Sequence, residues 1–273
     1  MSIDSDIKSA LLSLEDTVTS GYVPTKIVKD KNGTKKKVAI GKSGVTIAKG
    51  FDLGQHSTKD LFRLGIPPDT LVKLVPYMEK KGADAQKALN TQPLNISEDE
   101  MNTINDLVYA DQKAKAIKAY EDNTGFAWDN VPENVQAGLI IQGFNMGEGL
   151  YKNKGKETNF TKQLREAAMN DDYEAAAQNM ANWNPSWTQG GNDGLLKRAK
   201  AAADVMLGNT AVADMGTRAD YYLDEMRSGN VARNYKPTAP AQPVQTEQVV
   251  SADELNGSKS WYDDMFNTLK GMF

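Results

Sequence analysis

A chain of 273 residues can bury a full core, and its 40% hydrophobic and 25% charged residues are ordinary proportions for a globular fold. A net charge of −4 argues against broad capture of nucleic acid or of anionic membrane. The absence of cysteine excludes disulfides, thiolate nucleophiles and cysteine-based zinc sites, and a single histidine excludes a His-rich metal site, so carboxylates are left for acid–base work.

The opening MSIDSDIKSALLSLEDTV has acids where a signal peptide needs basic residues, and its apolar stretch is short. No apolar run is long enough to span a bilayer, so no integral membrane segment is expected. Within the opening, Ile7, Leu11, Leu14 and Val18 share one helical stripe, which predicts a helix over 5–18 with Ser5 as N-cap and Gly21 as the stop. From Tyr22 to Lys49 the texture turns to β-branched residues and turn signals. YVPTKIVKD, TKKKVAIG and VTIAKG, separated by KNG and KSG, predict one three-stranded antiparallel sheet. The lysines at 35–37 read as a solvated hairpin arm.

The rest is helical. STKDLFRLGIP starts at Ser57 and stops before Pro67, and a long helix opens with the capping box Ser97-x-x-Glu100 and runs to Gly125. PENVQAGLIIQGFNMG is apolar nearly all round and ends at Gly147, which predicts the buried central helix. Further helices are predicted in 158–170, 171–183, 192–208 and 210–227. Near residue 229 three prolines among polar residues signal an extended linker over 229–250, and 251–273 opens with Ser251-x-x-Glu254 as an amphipathic helix. The expected domains are 1–228, the linker 229–250 and the terminal helix 251–273.

One helix, a small sheet and a larger helical body form an α+β plan, with a cleft between sheet and helices. Two acids border that junction, Glu15 near the end of the first helix and Asp52 just past the last strand. Partial burial would keep Glu15 protonated as a general acid. Taken alone, structural readings are the commoner ones for such residues: Glu15 as a solvated helix-end acid, Asp52 as a turn former, Thr46 as an ordinary strand residue. His56 reads as structural, capping the next helix or closing the turn. Trp183 and Trp187 read equally as sugar-stacking or core residues, and Glu148 as a helix-end cap.

In order, LLSLEDTV, GVTIAKGFDLGQ, VQAGLIIQGFNMGEG, DDYEAAAQNMANW and GLLKRAKAAADVML resemble phage lysozymes of the T4-type muramidase fold, and in particular their pesticin-like branch. The resemblance covers about residues 5–208 and includes the interval of six residues from Thr46 to Asp52. It departs from the pattern at Ala48, where the branch has glycine, and in the long lysine-rich insertion between Glu15 and Thr46. The resemblance implies a lysozyme-like α+β fold with Glu15 as general acid, Asp52 and Thr46 handling water, and Phe144 and Asn145 lining the saccharide cleft. It implies no metal and no cofactor. Two carboxyls that work by direct displacement stand roughly 6.5–9.5 Å apart, and the anomeric centre inverts.

The function expected from these readings is hydrolysis of the β-1,4 bond between N-acetylmuramic acid and N-acetylglucosamine in peptidoglycan. The expected setting is a phage endolysin or a virion-borne lysin, made in the host cytoplasm without a signal peptide and acting on the wall in the periplasm. Residues 251–273 would either fold back onto the catalytic domain or dock it to a phage structural protein, two readings of equal weight. A bacteriocin killing domain is a further setting, against which counts the expectation of no receptor-binding domain of any size before residue 5. The alternatives are a lytic transglycosylase, against which Asp52 counts, and a lysozyme-fold adaptor whose acids are idle.

Overall fold

Ile7, Ala10 and Leu11 form the buried stripe of the first helix, α1 (Ile3–Ser13), with Asp4 and Asp6 in the first turn, where the helix dipole favours acids. The computed structural model describes residues 3–13, 18–29, 31–182 and 193–227; the side chains of Asn145, Glu148, Asp193 and Arg227 also lie outside that set. Two expectations for α1 are corrected. Ser5 lies inside the first turn rather than capping it, and Val18 and Gly21 belong to strand β1 (Val18–Tyr22). The β-branched pair Val18-Thr19 suits a strand better than a helix. Gly21 is there for space, since a Cβ would meet Leu94 and Val45 at 3.0 Å.

The single three-stranded sheet is also corrected. β2 (Thr25–Lys29) and β3 (Lys35–Ala39) pair with each other in a two-stranded ladder. The three-stranded sheet has the order β1-β4-β5, with β4 (Thr46–Ala48) central and β5 (Phe51–Asp52) on its far side. Burial explains the division. Every residue of β4 is buried, whereas the lysine-rich ladder has no buried residue and so no face to lay on a core. The β4–β5 turn is tight enough to hold Ala48 at φ +55° and Gly50 at φ +81°. For alanine that region costs about 1 kcal/mol.

Local signals set the helix ends as expected. Ser57 closes a capping box with Asp60 at the start of α2 (Thr58–Arg63), and Ser97 does so with Glu100 at the start of α5 (Glu98–Thr124). Gly125 ends α5 at φ +78°, and Gly147 ends α6 (Glu133–Met146) at φ +52°. Between α2 and α5 lie two helices that the sequence pattern did not announce, α3 (Pro68–Leu74) and α4 (Gly82–Thr91). After α6 come a small hairpin, β6 (Lys152–Asn153) and β7 (Lys156–Glu157), then α7 (Asn159–Asn170), α8 (Glu174–Ala181), α9 (Asp193–Met206) and α10 (Met215–Arg227).

The expected α+β plan is present: an N-terminal helix and a small antiparallel sheet beside a mainly helical lobe. The predicted linker 229–250 and helix 251–273 lie outside the described residues. In the helical lobe, α6 buries Ala137, Leu139, Ile140 and Ile141 and packs on α9, whose Ala201, Ala202 and Ala203 belong to the same core. Gly138 is where the two helices touch. A Cβ there would meet the Met206 Cβ at 2.8 Å and the Ala202 carbonyl at 2.9 Å. α10 is fastened to α9 by the fully buried Asp204, which accepts hydrogen bonds from Arg218 and from the Tyr222 hydroxyl. At the start of α10, Gly216 comes close to the Ser13 hydroxyl, so the last described helix braces the end of α1.

The α6–α9 contact makes opposed demands on Gly138. Alanine is the better helix former by about 1 kcal/mol, but overpacking a close contact costs roughly 1–3 kcal/mol. Because one clashing atom is backbone, the clash should win. Gly138→Ala is expected to lower the melting temperature, and calorimetry showing a rise would contradict this packing.

Candidate active site

Asp52 ends β5 and caps the 3-10 turn Leu53–Gln55 that follows. Its Oδ1 accepts two backbone N–H groups, from Gly44 and from Gly54, each at 2.9 Å. Both donors can converge on one oxygen because both are glycine. A Cβ on Gly44 would lie 2.4 Å from the Gly54 backbone and 2.6 Å from Asp52 Oδ1, and a Cβ on Gly54 would lie 2.4 Å from the Lys80 carbonyl oxygen. The second oxygen, Oδ2, accepts a longer bond of 3.2 Å from Gln55 Nε2. Gln55 also donates to the Lys42 carbonyl at 2.6 Å and accepts from Lys81 Nζ at 3.0 Å, so the Asp52 turn is tied to its neighbours on two sides.

Thr46 stands directly opposite Asp52 across the β4–β5 pair. Opposed residues of an antiparallel pair project to one face, with Cβ atoms about 4.5–5.5 Å apart. Thr46 is 4% exposed, and its hydroxyl has no hydrogen-bond partner among the described residues. Tyr22 faces Thr46 from β1, which completes a cross-strand row of Tyr22, Thr46 and Asp52. Tyr22 is 40% exposed, so the row offers a hydroxyl, a carboxylate and an aromatic side chain together.

The helical side of the junction is joined through Lys49. Its backbone N–H donates to Asn105 on α5 at 3.2 Å, and its ammonium donates to the Leu12 carbonyl at 2.6 Å. The last carbonyls of a helix lack intrahelical donors, and a lysine is a favourable partner for them. Leu11, Leu12, Lys49, Phe51, Asn105, Val108, Tyr109 and Phe144 line a small, mainly apolar crevice of about 10 Å³, room for about one water molecule. The half-buried Phe144 is thus gathered with the end of α1 and the β4–β5 turn, packed against the hydrophobic core.

Glu15, the expected general acid, lies outside the described residues, two positions beyond the end of α1. Trp183 and Trp187 fall outside them as well, as do the side chains of Asn145 and Glu148. His56 does not cap the next helix; Ser57 does. The histidine closes the preceding turn by donating its N–H to the Leu53 carbonyl, and its ring stacks on Phe51 at 4.6 Å. Desolvation pushes its pKa below the usual value, with Asp60 pulling the other way. Among the described residues no three His, Asp or Glu side chains gather to hold a metal ion, and no helix is long and apolar enough to cross a membrane. Sequence reasoning missed Gly44, Gly54, Gln55, Lys49 and Tyr22. The glycine spacing and the DLGQ tetrad are the visible traces of the first three.

Residues 2–170 match the family profile of pesticin, a bacterial toxin homologue of phage lysozyme, in its C-terminal part. The match spans more than half of the chain. The chain belongs to the pesticin family. It is a lysozyme-like family directed at peptidoglycan, and its profile covers α1, the sheet, the Thr46–Asp52 pair and the central helix α6. α8 and α9, which also resemble phage lysozymes in sequence, lie beyond the matched range. No individual curated protein matches the chain.

Two substitutions test this geometry. Gly44→Ala drives a methyl group into the Gly54 backbone and the Asp52 carboxylate, so it should cost about 3 kcal/mol or more, at the upper end of overpacking. Lys49→Met keeps the aliphatic stem and removes a charge-assisted bond worth about 1.5 kcal/mol, a fall of a few degrees in melting temperature. A variant of either kind that melts like the parent would show that the contact does not hold the site.

Proposed function

We propose that the chain is an N-acetylmuramidase that hydrolyses the β-1,4 bond between N-acetylmuramic acid and N-acetylglucosamine by a single inverting displacement. The observation that carries this reading is the opposed pair Thr46 and Asp52, with Asp52 anchored through one oxygen and less engaged through the other. In this mechanism Glu15 protonates the glycosidic oxygen of the leaving sugar. A water on the opposite face of the ring gives its proton to Asp52 Oδ2 as its oxygen bonds to the anomeric carbon. The Thr46 hydroxyl, able to donate and accept, orients that water. Phe144 and Asn145 contact the glycan, and Tyr22 offers a further aromatic surface beside Thr46. A second carboxylate that activates water is the feature a transglycosylase does without.

The finer setting belongs to the same proposal. The motif order shared with phage lysozymes supports a phage lysin whose catalytic domain is 1–228. Residues 229–250 would act as a linker and 251–273 as a helix that docks to a phage structural protein.

Asp52→Asn is an unusually clean variant, because the amide oxygen can still accept both glycine N–H groups while the working oxygen is lost. It should stay folded, melting a few degrees lower because its NH₂ faces the Gln55 NH₂, and lose nearly all wall-lytic activity. Glu15→Gln should lose about 10²–10⁴ in rate, the usual contribution of a general acid. With the parent enzyme, proton NMR should show the α-anomer of the new reducing end first. An initial β-anomer would make Asp52 a nucleophile and overturn the inverting mechanism.

A further inference from the structure

The β2–β3 hairpin is the most basic part of an acidic chain. Between Thr25 and Ala39 it carries six lysines and one aspartate, while the whole chain has a net charge of −4. The register places Lys29 directly opposite Lys35, and Ile27 opposite Lys37, on one face of the ladder. Like charges directly opposed destabilise a strand pair, and a lone two-stranded hairpin is marginal in water. All six lysines are exposed, and Ile27 beside them is 63% exposed. Among the described residues Lys29, Lys35 and Lys37 have no ion-pair partner.

Position supplies the second half of the argument. Only Val23 and Pro24 separate Tyr22, the residue opposite Thr46, from the first residue of β2. The Ile40 N–H closes the hairpin base onto the Pro24 carbonyl at 2.9 Å. From that base a five-residue strand reaches about 17 Å. A peptide of four or five residues hanging from a muramic acid reaches roughly 13–18 Å. The two lengths agree, and stem peptides carry free carboxylates.

We infer that the hairpin is a binding arm for the stem-peptide carboxylates of peptidoglycan, held beside the glycan cleft by the end of β1. This rests on the peptidoglycan reading of the site and adds to it a preference for peptide-bearing over bare glycan. Exposed lysine–carboxylate pairs are individually weak, about 0.2–1 kcal/mol each, and are screened beyond about 8 Å at physiological salt. Three together correspond to about tenfold in affinity.

The test reads binding without turnover. The full chain carrying Asp52→Asn is sedimented with purified sacculi free of lipid and teichoic acid, with and without Lys29→Gln, Lys35→Gln and Lys37→Gln. The triple substitution should weaken binding about tenfold, leave the melting temperature equal or higher, and abolish most of the salt dependence. On sacculi stripped of stem peptides by an amidase, with the lactyl carboxylates this exposes then converted to amides, both proteins should bind equally and weakly. Equal binding to intact sacculi would overturn the inference, as would a lysine effect that survives peptide removal. Self-association of the triple variant without weaker binding would also overturn it, since the lysines would then guard exposed strand edges. Failure of the catalytic reading is a separate outcome, because loss of hydrolysis leaves the sedimentation result unchanged.

Discussion

One carboxylate oxygen, Asp52 Oδ1, receives the N–H groups of Gly44 and Gly54, and the sheet lobe is arranged around that contact. The two backbones approach so closely that neither residue has room for a Cβ. The contact joins the segment entering β4 to the segment leaving β5. It therefore fixes the register that sets Thr46 opposite Asp52. It also seats the chain around Lys80 against Gly54, with the Glu79 N–H reaching the Leu53 carbonyl and the Gly82 N–H reaching the Ser43 carbonyl. The same carboxylate thus has one oxygen bound twice to backbone and a second, less engaged, on which the proposed chemistry rests. That division reconciles the turn-former and general-base readings of Asp52, which are otherwise rivals.

The second constraint is the way the sheet is fixed to the helices. Lys49 stands at the tip of the β4–β5 turn and reaches the last turn of α1, after which Glu15 follows. α1 is held in turn by Tyr109 and Lys113 of α5, whose side chains donate to Asp4, and by the start of α10 against Ser13. The strained Ala48 belongs to the same turn, so its cost of about 1 kcal/mol is offset by the contacts that turn makes. The proposed base lies on the sheet side of this clamp, and α1, which the proposed acid follows in sequence, lies on the other.

Much of the helical lobe was legible because its signals are local. The boxes at Ser57 and Ser97 and the stops at Gly125 and Gly147 each act within one turn of backbone. Strand partnership was not legible, because β1 finds β4 across the whole hairpin insertion and nothing local distinguishes that pairing from β1 with β2. α4 was missed because its sequence, GADAQKALNT, has Leu89 as its one large apolar side chain and no capping side chain at its start. In the site, the six-residue interval from Thr46 to Asp52 was readable, since a tight turn between them sets the two side by side. Gln55, Lys49 and Tyr22 were not, because their roles exist only through contacts with distant segments.

The most direct test of the account is mass spectrometry of purified peptidoglycan digested by the full-length chain. Inverting hydrolysis at the muramic acid linkage predicts muropeptides that end in reducing N-acetylmuramic acid, with one oxygen from solvent water incorporated per cleavage. Products ending in 1,6-anhydromuramic acid, or no products at all, would contradict it.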